Sequence, residues 1–223
     1  QFQGDPEYYT REHYIKRALG IKAGLGKETD FASYPEYQRA VVRTCITILQ
    51  AGFWRRTFLA SIKKQLGDGI EFSDRTVPGY TGVVQEAFLT EIRQGDTEDA
   101  MVIKTEFGEG VPLTADDLSD YRPAVLDGFI ALIDNSNPKA AKIFADQVAP
   151  GDEIEDKPAL VRKRFMEALS EGSSSRALSL KIAFEPEIPC DRGHVAGYDE
   201  AFRACLAHCF SRLSPRDNLR APR

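Results

Sequence analysis

The chain has few of the features that mark membrane spans or disulfide-rich scaffolds. No run of roughly 18 to 20 apolar residues occurs, and even the most apolar stretch, residues 40–49, is interrupted by Arg43, Thr44 and Thr47. Four cysteines in 223 residues are too few for a small secreted fold held together by disulfides. Because Cys45 also lies in an apolar helical segment, we predict a reducing intracellular compartment, and we predict no membrane span.

Positive charge is scarcer than negative charge. The chain has 29 Lys and Arg against 34 Asp and Glu, a net charge of -5. This balance argues against a protein that coats a phosphate backbone, because non-specific nucleic-acid affinity comes from clustered Lys and Arg. Two basic clusters on predicted helices nevertheless keep a local nucleic-acid-binding face as an alternative. They comprise Arg55, Arg56, Lys63 and Lys64, and Arg162, Lys163 and Arg164.

Apolar residues are plentiful enough to bury a sizeable core. They make up 42% of the chain, with 10% aromatic residues. At this length we predict a single globular domain over residues 1–213. Residues 214–223 contain two prolines and three arginines without periodicity, which predicts a flexible C-terminal tail. No internal repeat is apparent in the residues.

Apolar spacing predicts a mainly helical α+β fold with seven or eight helices. Arg43 lies in the most apolar helical pattern, which predicts a buried guanidinium paired with a carboxylate or several carbonyls. We expect a structural ion pair, and the alternative is the floor of a site. Two segments alternate instead with a period of two, near Met101–Phe107 and Ala177–Glu187. Each has one apolar and one polar face, so we predict a small antiparallel sheet that contains these two strands.

The last helical pattern begins near residues 196–199 and ends at Leu213. Its apolar residues share one face, so we predict a helix that docks this face on the core. The residues of this face are Phe202, Cys205, Leu206, Cys209, Phe210 and Leu213.

The segment 185–209 contains residues suited to acid–base chemistry. Several carboxylates surround His194 in the sequence, and a histidine oriented by a carboxylate can act as a general base because its ordinary pKa is about 6.5. We predict His194 as the acid–base residue, with Asp191 or Glu187 orienting it. The alternative is a solvated acidic loop before a helix, because no nucleophile lies beside His194 in a recognisable motif.

The same segment is rich in candidate metal ligands. It holds five of the seven Cys and His residues of the chain, and thiolate with imidazole is a ligand set that zinc prefers. The candidate ligands are Cys190, His194, Cys205 and Cys209, with zinc as the cofactor. Two alternatives are that Cys205 and Cys209 act as small apolar residues of the last helix, and that Cys190 forms a disulfide.

No catalytic motif stands out, so the first function that we predict is a non-catalytic protein-interaction or scaffold domain. Such a domain binds a protein partner through its helical faces. The first alternative is an enzyme with an acid–base or metal site in segment 185–209. The second is a helical nucleic-acid-binding, coat or nucleoprotein module. The residues alone leave the choice between enzyme and binding module open.

Overall fold

The computed structural model describes residues 17, 19–24, 30–51, 56–148, 154 and 156–213. These residues form two compact units. The first unit comprises the residues up to Glu91 together with Glu98–Ser119, and the second comprises Ile92–Thr97 together with the residues from Asp120 onward. The predicted tail, 214–223, lies outside the described residues. The predicted single domain over residues 1–213 stays a prediction.

The regular structure of the first unit is helical wherever the chain is described. Its elements are a 3₁₀ turn (Phe31–Ser33), α1 (Pro35–Ala51), α2 (Arg56–Leu66), α3 (Tyr80–Gln94) and α4 (Thr97–Phe107). The last residues of α3 and the first residue of α4 are grouped with the second unit. Within the first unit, α1 packs against α2 and against the 3₁₀ turn. Residues 19–24 are also helical.

The second unit is built from helices that pack side by side. They are α5 (Tyr121–Asp134), α6 (Pro138–Val148), α7 (Lys157–Ser170), α8 (Ser174–Phe184) and α9 (Tyr198–Leu213). The helix α5 packs on α6, and α7 packs on α8. In addition α6 lies beside α8, and α7 lies beside α9. No helix in the described part of the chain is long and apolar enough to cross a membrane.

The predicted α+β fold is wrong. Residues 17–213, where they are described, contain no strand and therefore no antiparallel sheet, and they form nine α-helices of at least 11 residues rather than seven or eight. The first predicted strand, Met101–Phe107, lies in α4. There Ala100, Ile103 and Phe107 are buried, and their spacing of i, i+3 and i+7 is that of one helix face.

The second predicted strand lies mainly in α8. In a strand, Leu178 and Leu180 would share one buried face, as would Ile182 and Phe184. The structure separates them: Leu180 and Phe184 are fully buried, whereas Leu178 and Ile182 are 57% and 60% exposed. The two buried residues are four positions apart, a spacing that fits both a strand face and a helix face. The pattern was therefore ambiguous, and the exposed pair shows that it belongs to a helix.

The predicted burial of Arg43 is also wrong. The helix α1 buries a set of residues that includes Val42, Cys45 and Ile46, whereas Arg43 and Thr47 are exposed. These two are four positions apart and therefore lie on the same side of the helix. The helix is thus amphipathic, and the guanidinium needs no buried partner.

From Tyr80 onward the helices form pairs that recur along the chain. In every pair the second helix begins 17 residues after the first: Thr97 follows Tyr80, Pro138 follows Tyr121, and Ser174 follows Lys157. Successive first helices, including α9, begin at intervals of 41, 36 and 41 residues. The chain therefore contains an array of helix pairs. The expectation of no internal repeat is wrong at the level of structure.

The turn inside each pair has the same backbone conformation. Gly95, Ser136 and Gly172 occupy equivalent positions, and their φ angles of 75°, 60° and 71° lie in the left-handed region. The amide of each donates to the carbonyl three residues earlier, at 2.9, 3.1 and 3.0 Å. Such a residue ends a helix by satisfying its last carbonyls. Glycine is favoured there because a Cβ costs about 1 kcal/mol in this conformation, so Ser136 is the strained member.

A longer turn precedes three of the first helices, over residues 73–79, 114–120 and 191–197. In each copy the carbonyl of the first residue accepts the amides three and four positions later, all at 3.1 Å. The helix then begins at a tyrosine: Tyr80, Tyr121 or Tyr198. The Tyr80 hydroxyl donates to the carbonyl of Phe107 at 2.8 Å, and the Tyr121 hydroxyl donates to that of Val148. These hydrogen bonds connect the start of the first helix to the end of the second helix of the same pair.

The core follows the same register. Three positions on each first helix and three on each second helix are buried in every complete pair. On the first helices they are Val84, Phe88 and Ile92, then Val125, Phe129 and Ile133, then Val161, Phe165 and Leu169. On the second helices they are Ala100, Ile103 and Phe107, then Ala141, Phe144 and Val148, then Ala177, Leu180 and Phe184. The repeat is defined by spacing and burial more than by residue identity.

Candidate functional site

The structure brings His194 and Asp191 together in the turn before α9. The Nδ1 atom of His194 lies 2.7 Å from Oδ1 of Asp191, which also accepts the amide of Gly193 at 2.9 Å. Both side chains are about half exposed. The contact is the one expected from the sequence, while the acid–base role of His194 stays a prediction.

The same backbone turn occurs twice without a histidine. The position of His194 is taken by Thr76 in the first copy and by Asp117 in the second. The Thr76 hydroxyl donates to the carbonyl of Glu71 at 2.7 Å, and Asp117 accepts the hydroxyl of Thr114 at 2.5 Å. Local side-chain hydrogen bonds of this kind stabilise turns. The histidine–carboxylate contact therefore has a structural explanation that requires no reaction.

Hydrogen bonding shifts the electrostatics of Asp191. The bond from His194, assisted by the amide of Gly193, lowers the pKa of Asp191 below its ordinary value. A carboxyl whose pKa is lower in the folded than in the unfolded chain adds stability above its ordinary pKa, and this stability is lost as the pH falls through the lowered value. Solvent screens the effect because Asp191 is exposed. The contact therefore stabilises the turn only modestly, and this stabilisation is lost in acid.

The other predicted carboxylate, Glu187, is engaged with a different helix. Its Oε1 atom lies 2.5 Å from Nζ of Lys142 on α6. This hydrogen bond is the largest cause that lowers the pKa of Glu187. Of the two carboxylates proposed to orient His194, Asp191 is thus the one seen in contact with it.

The four predicted zinc ligands are not assembled. Cys190 and Cys205 are buried and Cys209 is partly buried, and all of these thiols are free. Burial raises the pKa of Cys190 and of Cys205, which favours the neutral thiol over the thiolate that binds metal. In the part of the chain that the structure describes, no three of Cys190, His194, Cys205 and Cys209 have ligand atoms within 4.8 Å of one another.

A groove of about 310 Å³ lies in the first unit between the end of α1 and one side of α3. It is lined by small and apolar residues with a few polar ones, and no histidine, cysteine or lysine is among them. The lining residues are Leu49, Gln50, Gly79, Gly82, Val83, Glu86, Ala87 and Thr90. The hydroxyl of Thr90 in this lining donates to the backbone carbonyl of Glu86 at 2.8 Å.

The apolar face of α9 differs from its prediction. Ala201 and Cys205 are buried, and α9 packs on α7. In contrast Phe202, Leu206 and Phe210 are 42%, 41% and 66% exposed. The prediction that the whole face docks on the core is therefore wrong for these three residues. We call them the α9 stripe.

The repeat register identifies what the α9 stripe corresponds to. The helix α9 begins 41 residues after α7, so Phe202, Leu206 and Phe210 are equivalent to Val161, Phe165 and Leu169. These residues of α7 are buried, and α7 packs on its own second helix, α8. No second helix follows α9 within the described residues. Within the described residues, the stripe is thus a core-forming surface without the second helix that is present in every complete pair.

Aromatic stacking fixes one end of the stripe. The ring of Tyr198 lies parallel to that of Phe165 on α7, with centroids 6.2 Å apart. The ring of Phe202 is also stacked with that of Tyr198, with centroids 5.9 Å apart. Offset aromatic stacks at this separation are favourable, so the position of Phe202 is held by the second unit itself.

Comparison with protein families, with curated proteins and with solved structures finds no match to this chain. The exposure of the α9 stripe could not be predicted from the sequence, because an amphipathic pattern shows which residues can be buried but not whether a neighbour is present. The missing signal was the helix-pair register, which reveals that α9 occupies the first position of a pair.

Proposed function

We propose that this protein is a non-catalytic protein-interaction or scaffold module that binds a protein partner through the α9 stripe. The single observation that supports this function is the exposure of Phe202, Leu206 and Phe210 on a helix face whose equivalents are core residues. Scattered exposed apolar residues are common, but a contiguous row of three large ones is typical of an interaction surface.

The size of the stripe limits the binding free energy that it can contribute. Full burial of one large apolar side chain contributes about 1.5–3 kcal/mol, and these three are already partly buried, so a partner gains a few kcal/mol from them. Association itself costs roughly 4–15 kcal/mol. The stripe is therefore an anchor within a larger contact, and the partner also touches the polar surface around it.

An enzyme with His194 as its acid–base residue is the second candidate function. It is favoured by one observation, the 2.7 Å contact of His194 with Asp191. The equivalent turns at residues 73–79 and 114–120 place other residues in that position, so the contact alone favours a structural role. No nucleophile or electrophilic group is assigned beside it. We therefore rank the interaction module first.

The proposed function is tested by site-specific photo-crosslinking. A benzoylphenylalanine placed at Leu206 is expected to give one discrete adduct when the full chain is irradiated in an extract of its own cells. The matched control places the same group at Ala204, which is exposed on the other side of α9. Circular dichroism checks that both proteins are folded. Adducts at Leu206 that are no more abundant than those at Ala204 would contradict the proposal.

A further inference from the structure

We infer that the partner presents an amphipathic helix, which lies antiparallel to α9 and takes the place of a second helix. This inference rests on the proposed function and specifies the chemistry of its partner. The helix carries a small residue, then large apolar residues three and seven positions later. It completes the last pair of the array in the same way as α6 completes α5 and α8 completes α7.

The first step of the argument is the pattern of the existing second helices. Each begins its buried face with an alanine and continues with a large apolar residue three positions later and another seven positions later. All nine of these residues are buried: Ala100, Ile103 and Phe107; Ala141, Phe144 and Val148; Ala177, Leu180 and Phe184. A helix that fits the α9 stripe in the same register needs the same spacing.

The second step is the close approach of paired helices. A Cβ placed on Gly128 of α5 would lie 2.8 Å from the ring of Phe144 on α6. The helices α5 and α6 therefore lie close together at Gly128, although the nearest atom to the added Cβ is the carbonyl oxygen of Ile92 on α3. Because each pair is joined by a short turn, its helices run antiparallel. We expect the partner helix to run in that direction because the order of its small and large residues is taken from helices that run this way.

The third step concerns the chain itself. An equivalent second helix after α9 would begin at Pro215, 17 residues after Tyr198. Its small residue would then be Asn218 and its first large apolar residue would be Ala221. Neither matches the pattern of the other second helices, and Leu219 is the only large aliphatic residue of segment 214–223. Residues 215–221 therefore do not carry the pattern of the other second helices, and in our proposal the protein partner supplies it.

The probe for this inference is a labelled, helix-stabilised peptide that copies residues 137–148, which include α6. We expect the full chain to bind it saturably, as measured by fluorescence anisotropy. The variant Leu206→Ser/Phe210→Ser is expected to weaken binding about tenfold or more, because both anchors of the stripe are lost. Phe144→Ser in the peptide is expected to have a similar effect.

The matched control for the protein is Leu178→Ser/Ile182→Ser, which removes two equally exposed apolar residues from α8 and is expected to leave binding unchanged. Thermal unfolding monitors the fold of both variants. Absence of saturable binding, or binding that both variants retain equally, overturns the inference. Sedimentation that shows a dimer dissociated by Leu206→Ser/Phe210→Ser overturns it as well, because a second copy then covers the stripe.

The two proposals fail in distinguishable ways. Crosslinking at Leu206 with no binding of the helical peptide retains the interaction module and removes the helix as its partner element. Failure of both experiments in a folded protein removes both proposals. Peptide binding that depends on Leu206 and Phe210 supports the inference directly.

Discussion

At the scale of single residues, the turn at 191–197 shows how one backbone conformation accepts different side chains. The carbonyl of its first residue accepts the same two amides in all three copies. The side chains around it differ, since Asp191 bonds His194 in one copy and Thr114 bonds Asp117 in another. The backbone bonds define the turn, and the side-chain pair reinforces it.

If the backbone bonds define the turn, exchanging its side chains for those of another copy should have little effect on stability. Asp191→Ser combined with His194→Thr installs the residues found at the same positions in the first copy, Ser73 and Thr76. We expect the melting temperature to change by less than about 2 °C, because exposed substitutions have small effects. Val195→Ser, which alters a buried residue of the same turn, is the control and should lower the melting temperature by several degrees. A double substitution as damaging as this control would show that the His194–Asp191 contact itself holds the turn.

The candidate site could be predicted from the sequence only where it is local. Asp191 and His194 are three positions apart, so their contact follows from one turn. The proposed ligands Cys190, Cys205 and Cys209 depend on how a loop and a helix meet, which side-chain type does not determine. The α9 stripe required knowledge of which neighbours are present, and its residue pattern is identical for a covered and an uncovered helix.

At the scale of elements, two of the four 11-residue helices in the described chain were mistaken for strands. The helices α4 and α8 have 11 residues each, so few positions separate a period of two from one of 3.6. In α8, Leu180 and Phe184 satisfy both periods. The start of the buried face is marked instead by Ala177, a small residue that a search for large apolar residues overlooks.

A pair of substitutions distinguishes the two structures for α8. Leu180→Ala should lower the free energy of unfolding by about 2–5 kcal/mol, because it leaves a cavity at a fully buried position. Ile182→Ala should change it by less than about 0.5 kcal/mol, because Ile182 is largely exposed. Chemical denaturation measures both values. In the predicted strand the two residues would share a face, so equal losses would contradict the helix.

The repeat escaped sequence analysis for a related reason. Its pairs share burial, a left-handed turn residue and helix spacing, but the residues at these positions vary. The turn accepts Gly95, Ser136 and Gly172, and one interval is 36 residues instead of 41. Self-similarity of residues is therefore weak even though the structural positions correspond one to one.

At the scale of the whole molecule, the basic residues of the predicted nucleic-acid face are in part committed to internal contacts. Arg164 contacts Asp134 at 2.9 Å and Glu167 at 2.7 Å. Arg162 donates to the carbonyl of Pro189 at 3.2 Å. In the first unit, Lys63 donates to a backbone carbonyl and lies over two aromatic rings. These groups stabilise helix contacts and are less available to phosphates.

Together with the net charge of -5, this arrangement predicts no useful affinity for single-stranded nucleic acid. Such binding is built from cation–phosphate contacts, and it strengthens steeply as salt is removed. Fluorescence anisotropy of a labelled oligonucleotide at low ionic strength should therefore show no saturable binding by the full chain. Binding that weakens steeply with added salt, and that is further reduced by Lys163→Glu at an exposed position of α7, would contradict this prediction. It would make a nucleic-acid-binding face on α7 the better account of this protein.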